Sequence, residues 1–125
     1  MGMKTSNRLF VYGSLRRSAP GRHHPFLRDA RFLGVATIRG QLYDLGPYSM
    51  MVPSPSGGRV HGELYELHDA TASESWKVLD DYEGREFKRV RVVATLRNGS
   101  RRSTWVYTSR KPPPQSARLI ESGRY

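Results

Sequence analysis

The chain's 125 residues carry 21 Lys and Arg against 11 Asp and Glu, a formal charge of +10, with 37% hydrophobic residues and no cysteine. A chain of this length reads as one domain, residues 1–125, able to bury roughly two-thirds of the surface its unfolded form exposes. The missing cysteine excludes disulfides, thiol nucleophiles and thiolate metal sites; the apolar runs are too short for a membrane span or an export signal, so a cytoplasmic location is expected.

Period-two alternation and turn residues dominate the chain. Leu9-Phe10-Val11-Tyr12 is a short apolar run stopped by Gly13-Ser14, a buried strand entering a loop. Residues 18–25 mix Pro, Gly, His and Arg and predict a loop, with at most a short helix at 25–28. Strands are predicted at 31–38 and 40–45, ended by Gly46-Pro47, with a short one at 50–52. Pro53-Ser54-Pro55-Ser56-Gly57-Gly58 is the clearest turn cluster, and 60–67 is the next strand.

One segment, 72–83, has helical grammar. Thr71-Ala72-Ser73-Glu74 matches the capping box, and Gly84 supplies the stop. Two strands at 87–96 and 103–108 are joined around Asn98-Gly99, a strong hairpin signal, and Pro112-Pro113-Pro114 ends the sheet. The tail, 115–125, is ambiguous, with room for a helical turn before Ser122-Gly123. With no repeat or linker to divide the chain, the expected fold class is α+β: a small mixed β-barrel with one main helix.

On a helical wheel Trp76, Val78, Leu79 and Tyr82 form an apolar arc, with Glu83 inside it, Asp80 at its border, and Lys77 and Asp81 opposite. A carboxylate turned inward must be paired, neutral or employed. Burial and the negative end of its helix both raise its pKa, the direction a general base needs. The alternative is a structural ion pair with an arginine such as Arg89.

The second candidate is Tyr12-Gly13-Ser14-Leu15, where Gly13 lets backbone donors approach a ligand and hold a carboxylate. Ser14 lacks the Gly-x-Ser-x-Gly elbow of a nucleophile. His23-His24 has no ligand partners at metal-binding spacing, and Gly57-Gly58-Arg59 lacks the rest of a phosphate loop, so neither a metal nor a cofactor is expected. Tyr43, Tyr65, Trp105 and Tyr107 sit inside strand runs, where core packing is the default. Of the 21 cations 17 are Arg, scattered without a basic block, so no specific nucleic-acid partner is expected.

As a set, these residues resemble the γ-glutamyl cyclotransferase-like family, which includes γ-glutamylamine cyclotransferases and a plant avirulence-induced group. The matching pieces are Val11-Tyr12-Gly13-Ser14-Leu15-Arg16, Gly40 to Tyr48, Val60-His61-Gly62-Glu63-Leu64-Tyr65, Leu79-Asp80-Asp81-Tyr82-Glu83-Gly84, Phe87-Lys88-Arg89, Trp105-Val106-Tyr107 and Ile120-Glu121-Ser122-Gly123. The resemblance implies a barrel whose Tyr12–Leu15 loop binds the glutamyl end of a small-molecule γ-glutamyl substrate, with Glu83 as the acid/base. It implies ring closure by the substrate's own α-amine, releasing 5-oxoproline. The chain departs from relatives at Ser18-Ala19-Pro20-Gly21-Arg22 and at Ser49, so the resemblance names a reaction and leaves the substrate and the oligomeric state open. A non-catalytic binder on the same barrel, and less so a basic nucleic-acid module, stand as alternatives.

Overall fold

The structure, a computed structural model, describes residues 7–12, 30–45, 49–67, 72–83 and 87–124. In chain order its elements are β1 (Arg8–Val11), β2 (Arg31–Asp44), β3 (Ser49–Pro53), β4 (Gly58–Glu66), α1 (Ala72–Glu83), β5 (Phe87–Leu96), β6 (Arg101–Ser109) and β7 (Arg118–Leu119). The short helix expected at 25–28 lies outside the described residues.

The strands form one sheet that closes on itself. Neighbours run β2–β4–β1–β6–β5, and β5 returns to β2, giving a five-stranded barrel; β3 and β7 pair with the part of β2 that extends beyond it. Most pairs are antiparallel, but β1 lies parallel to β6, with Leu9 opposite Trp105, which makes the barrel mixed. The expected fold class is therefore the observed one.

Alternation along each strand divides the apolar residues between two cores. On β1, Phe10 points into the barrel with Ile38, Leu42, Val60, Leu64 and Val106. Leu9 and Val11 point out, where Tyr65, Tyr107, Trp76 and Leu79 join them beneath α1. The helix thus covers the outer face of β1, β4 and β6, and its wheel holds where side chains are described: Trp76 and Leu79 are buried, Asp80 is half-buried, and Lys77 and Asp81 are exposed.

Two expectations need correction. The strands predicted at 31–38 and 40–45 are one, because Gly40 does not break β2: it stays paired to Pro53 and Gly58. What Gly40 provides is room, since a Cβ there would stand 2.6 Å from the Val52 carbonyl oxygen. In the tail, the pattern resolves into β7, paired to Tyr43 and Asp44 of β2, and then a turn in which Gly123, at φ +70, seats against the Arg59 backbone.

Candidate active site

The parallel pairing of β1 with β6 fixes where the two candidate segments meet. Leu9 opposite Trp105 sets both strands running the same way, so β1 ends where β6 approaches Tyr107. The Tyr12 hydroxyl makes that contact directly, donating to the Tyr107 carbonyl at 2.8 Å. It also accepts the Met51 N–H at 3.1 Å, while Thr108 donates its hydroxyl to the Met51 carbonyl at 2.6 Å. Met51 is fully buried, and both its backbone groups are satisfied by the Tyr12 and Thr108 side chains. Tyr12 is therefore the rivet between the end of β1, the β3 edge and β6. Gly13, Ser14 and Leu15, which follow it, lie outside the described residues.

From the other side, Phe87 opens β5 opposite Ser109 at the same end of β6. Glu83 closes α1 four Cα–Cα steps earlier, so its Cα lies within about 15 Å of that of Phe87. The topology thus delivers the last residue of α1 and the first residue of the candidate loop to one end of the barrel. The structure describes the backbone of Glu83, as the end of the helix, and its side chain falls outside the described residues.

What fixes the helix there is an ion-pair cluster one turn before its end. Asp80 accepts Arg89 Nε at 2.8 Å and Nη2 at 3.1 Å, and the Tyr107 hydroxyl donates to the same carboxylate at 2.6 Å. The Arg89 guanidinium lies 4.5 Å from the Trp76 ring and 5.1 Å from the Trp105 ring, stacked between helix and sheet. Arg89, the partner the alternative reading offered Glu83, is committed to Asp80. Sequence reasoning left Asp80 at the border of the arc and gave Tyr107 only a packing role. The spacing Asp80-x-x-Glu83 could have separated a fastening carboxylate from a second one at the helix end.

A third carboxylate was missed altogether. Glu63 on β4 is 4% exposed and accepts the Tyr65 hydroxyl at 3.1 Å. It stands opposite Val11, beside the root of the candidate loop. Nearby on the same strand, burial and the charges of Arg124 and Arg59 hold the His61 imidazole below its usual pKa of 6.5. Among the described residues no three His, Asp or Glu side chains gather closely enough to share a metal ion, and no helix is long and apolar enough to cross a membrane.

Residues 9–125 match the family model described as γ-glutamyl cyclotransferase, AIG2-like. The γ-glutamylcyclotransferase family protein YtfP of Escherichia coli K12 is 38% identical over 117 residues, 93% of each chain. The solution structure of Escherichia coli YtfP superposes with a TM-score of 0.60 at 36% identity, covering 94% of this chain and 95% of that one. The crystal structure of an AIG2-like protein from mouse gives a TM-score of 0.72, covering 93% of this chain and 86% of that one; at 22% identity it speaks for the fold. The chain belongs to the γ-glutamyl cyclotransferase, AIG2-like family.

Proposed function

We propose that the chain is a γ-glutamyl cyclotransferase that releases 5-oxoproline from a γ-glutamyl amino acid or γ-glutamyl amine. In this reading the backbone of Tyr12-Gly13-Ser14-Leu15 holds the glutamyl end. Glu83 takes a proton from the substrate's α-ammonium, and the freed nitrogen attacks the γ-carbonyl carbon. As that C–N bond forms and the bond to the leaving nitrogen breaks, Glu83 returns the first proton to the leaving nitrogen; the new ring nitrogen then sheds its second proton by way of Glu83 to the released amine, which departs as an ammonium. No water is consumed, and the scheme asks for no metal or cofactor, because the substrate brings its own nucleophile. Holding amine and carbonyl together supplies much of the rate. Its setting is expected to be the cytoplasm.

The observation that carries this reading is the convergence of β1's end and α1's end on one end of β6, in a chain of this family. The test is incubation with γ-glutamyl dipeptides and amines in oxygen-18 water, with mass-spectrometric detection of products. Unlabelled 5-oxoproline from free but not N-acetylated substrates is expected. Glu83→Gln should keep the circular dichroism of the parent and lose at least about 10²-fold in turnover. Labelled glutamate, or turnover of the acetylated compounds, would overturn the scheme and return Ser14 to consideration.

A further inference from the structure

Arginines scattered through the sequence are gathered by the fold at one place. Arg59 and His61 on β4, Arg97 after β5, and Arg124 line a groove of about 380 Å³ across the outer wall of the barrel. Its floor holds Thr37 and Thr95, which face each other across the β2–β5 junction and offer two hydroxyls. The volume suits a small molecule rather than a macromolecular surface.

Among the described residues lining this groove, three arginines stand against one carboxylate. Arg59, Arg97 and Arg124 are exposed, and among the described residues none of the three guanidiniums is paired with a carboxylate, unlike Arg89 on Asp80 and Arg8 on Glu66. The one carboxylate among the described lining residues, Glu63, is buried and already accepts the Tyr65 hydroxyl. Nor do the arginines meet by accident of long side chains. The Gly123 carbonyl accepts the His61 N–H at 2.8 Å, and the fit of Gly123 on the Arg59 backbone sets Arg124 beside two other basic groups. The His61 pKa is lowered first by burial and then by the charges of Arg124 and Arg59, which places both guanidiniums near the imidazole.

The groove's position ties it to the candidate loop. Val11 stands opposite Glu63, and β4 continues past the end of β1 through His61 to Arg59. The end of β1 therefore lies beside the part of the groove that Glu63 lines.

We propose that this groove is the leaving-group subsite of the reaction above, and that it selects γ-glutamyl compounds whose released amine carries carboxylates, an acidic amino acid or peptide, over neutral or cationic ones. The inference rests on the cyclotransferase reading for its reaction and on the groove for its selectivity. Guanidiniums bind carboxylates through paired, charge-assisted hydrogen bonds, and Thr37 and Thr95 can donate to the remaining oxygens. The leaving amine takes its proton as the C–N bond breaks and departs with its acid groups still held at the far end.

The experiment compares γ-glutamyl-glutamate, γ-glutamyl-alanine and γ-glutamyl-lysine on the full chain and on Arg59→Gln, Arg97→Gln and Arg124→Gln. The expected parent ranks the glutamate compound first by about tenfold in kcat/KM, and each variant raises KM most for that compound and less for the two whose leaving group keeps a single carboxylate, with kcat kept. Binding is read separately, by NMR titration of the His61 ring protons in Glu83→Gln. Seating an anion among Arg59, Arg97 and Arg124, with Glu63 behind, should raise the His61 pKa; γ-glutamyl-alanine should raise it less. If nothing is turned over but γ-glutamyl-glutamate still binds through the arginines, the cyclotransferase reading fails and the anion groove stands. Turnover without acidic preference, and with KM unmoved in all three variants, would overturn the subsite and leave the reaction intact.

Discussion

Tyr12 shows how much one hydroxyl can organise. It closes β1 against β6 and satisfies a buried N–H of β3, so Tyr12→Phe leaves Met51 without that partner. The expected loss is about 1–3 kcal/mol in urea unfolding, the range for a buried group left unsatisfied. Because Gly13 follows directly, KM for a γ-glutamyl substrate should rise as well. His61 makes a prediction of opposite origin. Its folded pKa lies below 6.5, so as pH falls through 6.5 the unfolded chain binds a proton that the folded chain refuses, and stability drops. Stability should therefore decline more steeply from about pH 7 to 5 in the parent than in His61→Gln, which lacks the imidazole; parallel slopes would refute it. Around the candidate site, the strand that runs into Tyr12 and the helix that ends at Glu83 were legible because local pattern marks them, an apolar run stopped by glycine and an apolar arc. Asp80 with Tyr107 and Arg124 with Arg59 were not, since each pair exists only after distant strands have docked.

Elements were legible wherever their signal is local. The helix at 72–83 and the strand at 87–96 have their expected bounds, because a capping box, a stop glycine and sustained alternation all lie within the segment. β7 was not, because a two-residue strand has no period and is defined by the β2 residues it meets. Two glycines separate turn chemistry from docking. Gly99, at φ +90, has open space where a Cβ would go, so Gly99→Ala costs only its backbone conformation, about 1 kcal/mol. Gly123→Ala adds a clash with the Arg59 carbonyl oxygen. It should lower stability by at least about 1–3 kcal/mol more than Gly99→Ala in thermal or urea unfolding. Equal losses would mean that the tail contributes nothing to the barrel wall.

At the scale of the whole molecule, the ring of five strands is unevenly sewn. β2 pairs with β4 from Arg31 to Gly40, and β5 with β6 along nearly their full lengths. The β2–β5 junction that completes the ring consists of two residue pairs, Ala36 with Leu96 and Thr37 with Thr95. The β1–β6 contact is also short, but it lies beneath α1 and is reinforced by Arg8 Nε donating to the Ser103 carbonyl at 2.8 Å. At the β2–β5 junction the neighbouring Val35 and Val93 are 43% and 49% exposed, with no helix over them among the described residues. The barrel should thus breathe at this seam, the β5–β6 hairpin parting from β2 before the β2–β4 or the β5–β6 ladder loosens. In native-state hydrogen exchange, amides bridging β2 and β5 should trade their protons through a low-energy local opening, whereas those between β2 and β4 wait for global unfolding. Because Thr37 and Thr95 sit on both sides of that seam, a molecule bound across them would act as a removable stitch and slow exchange there first.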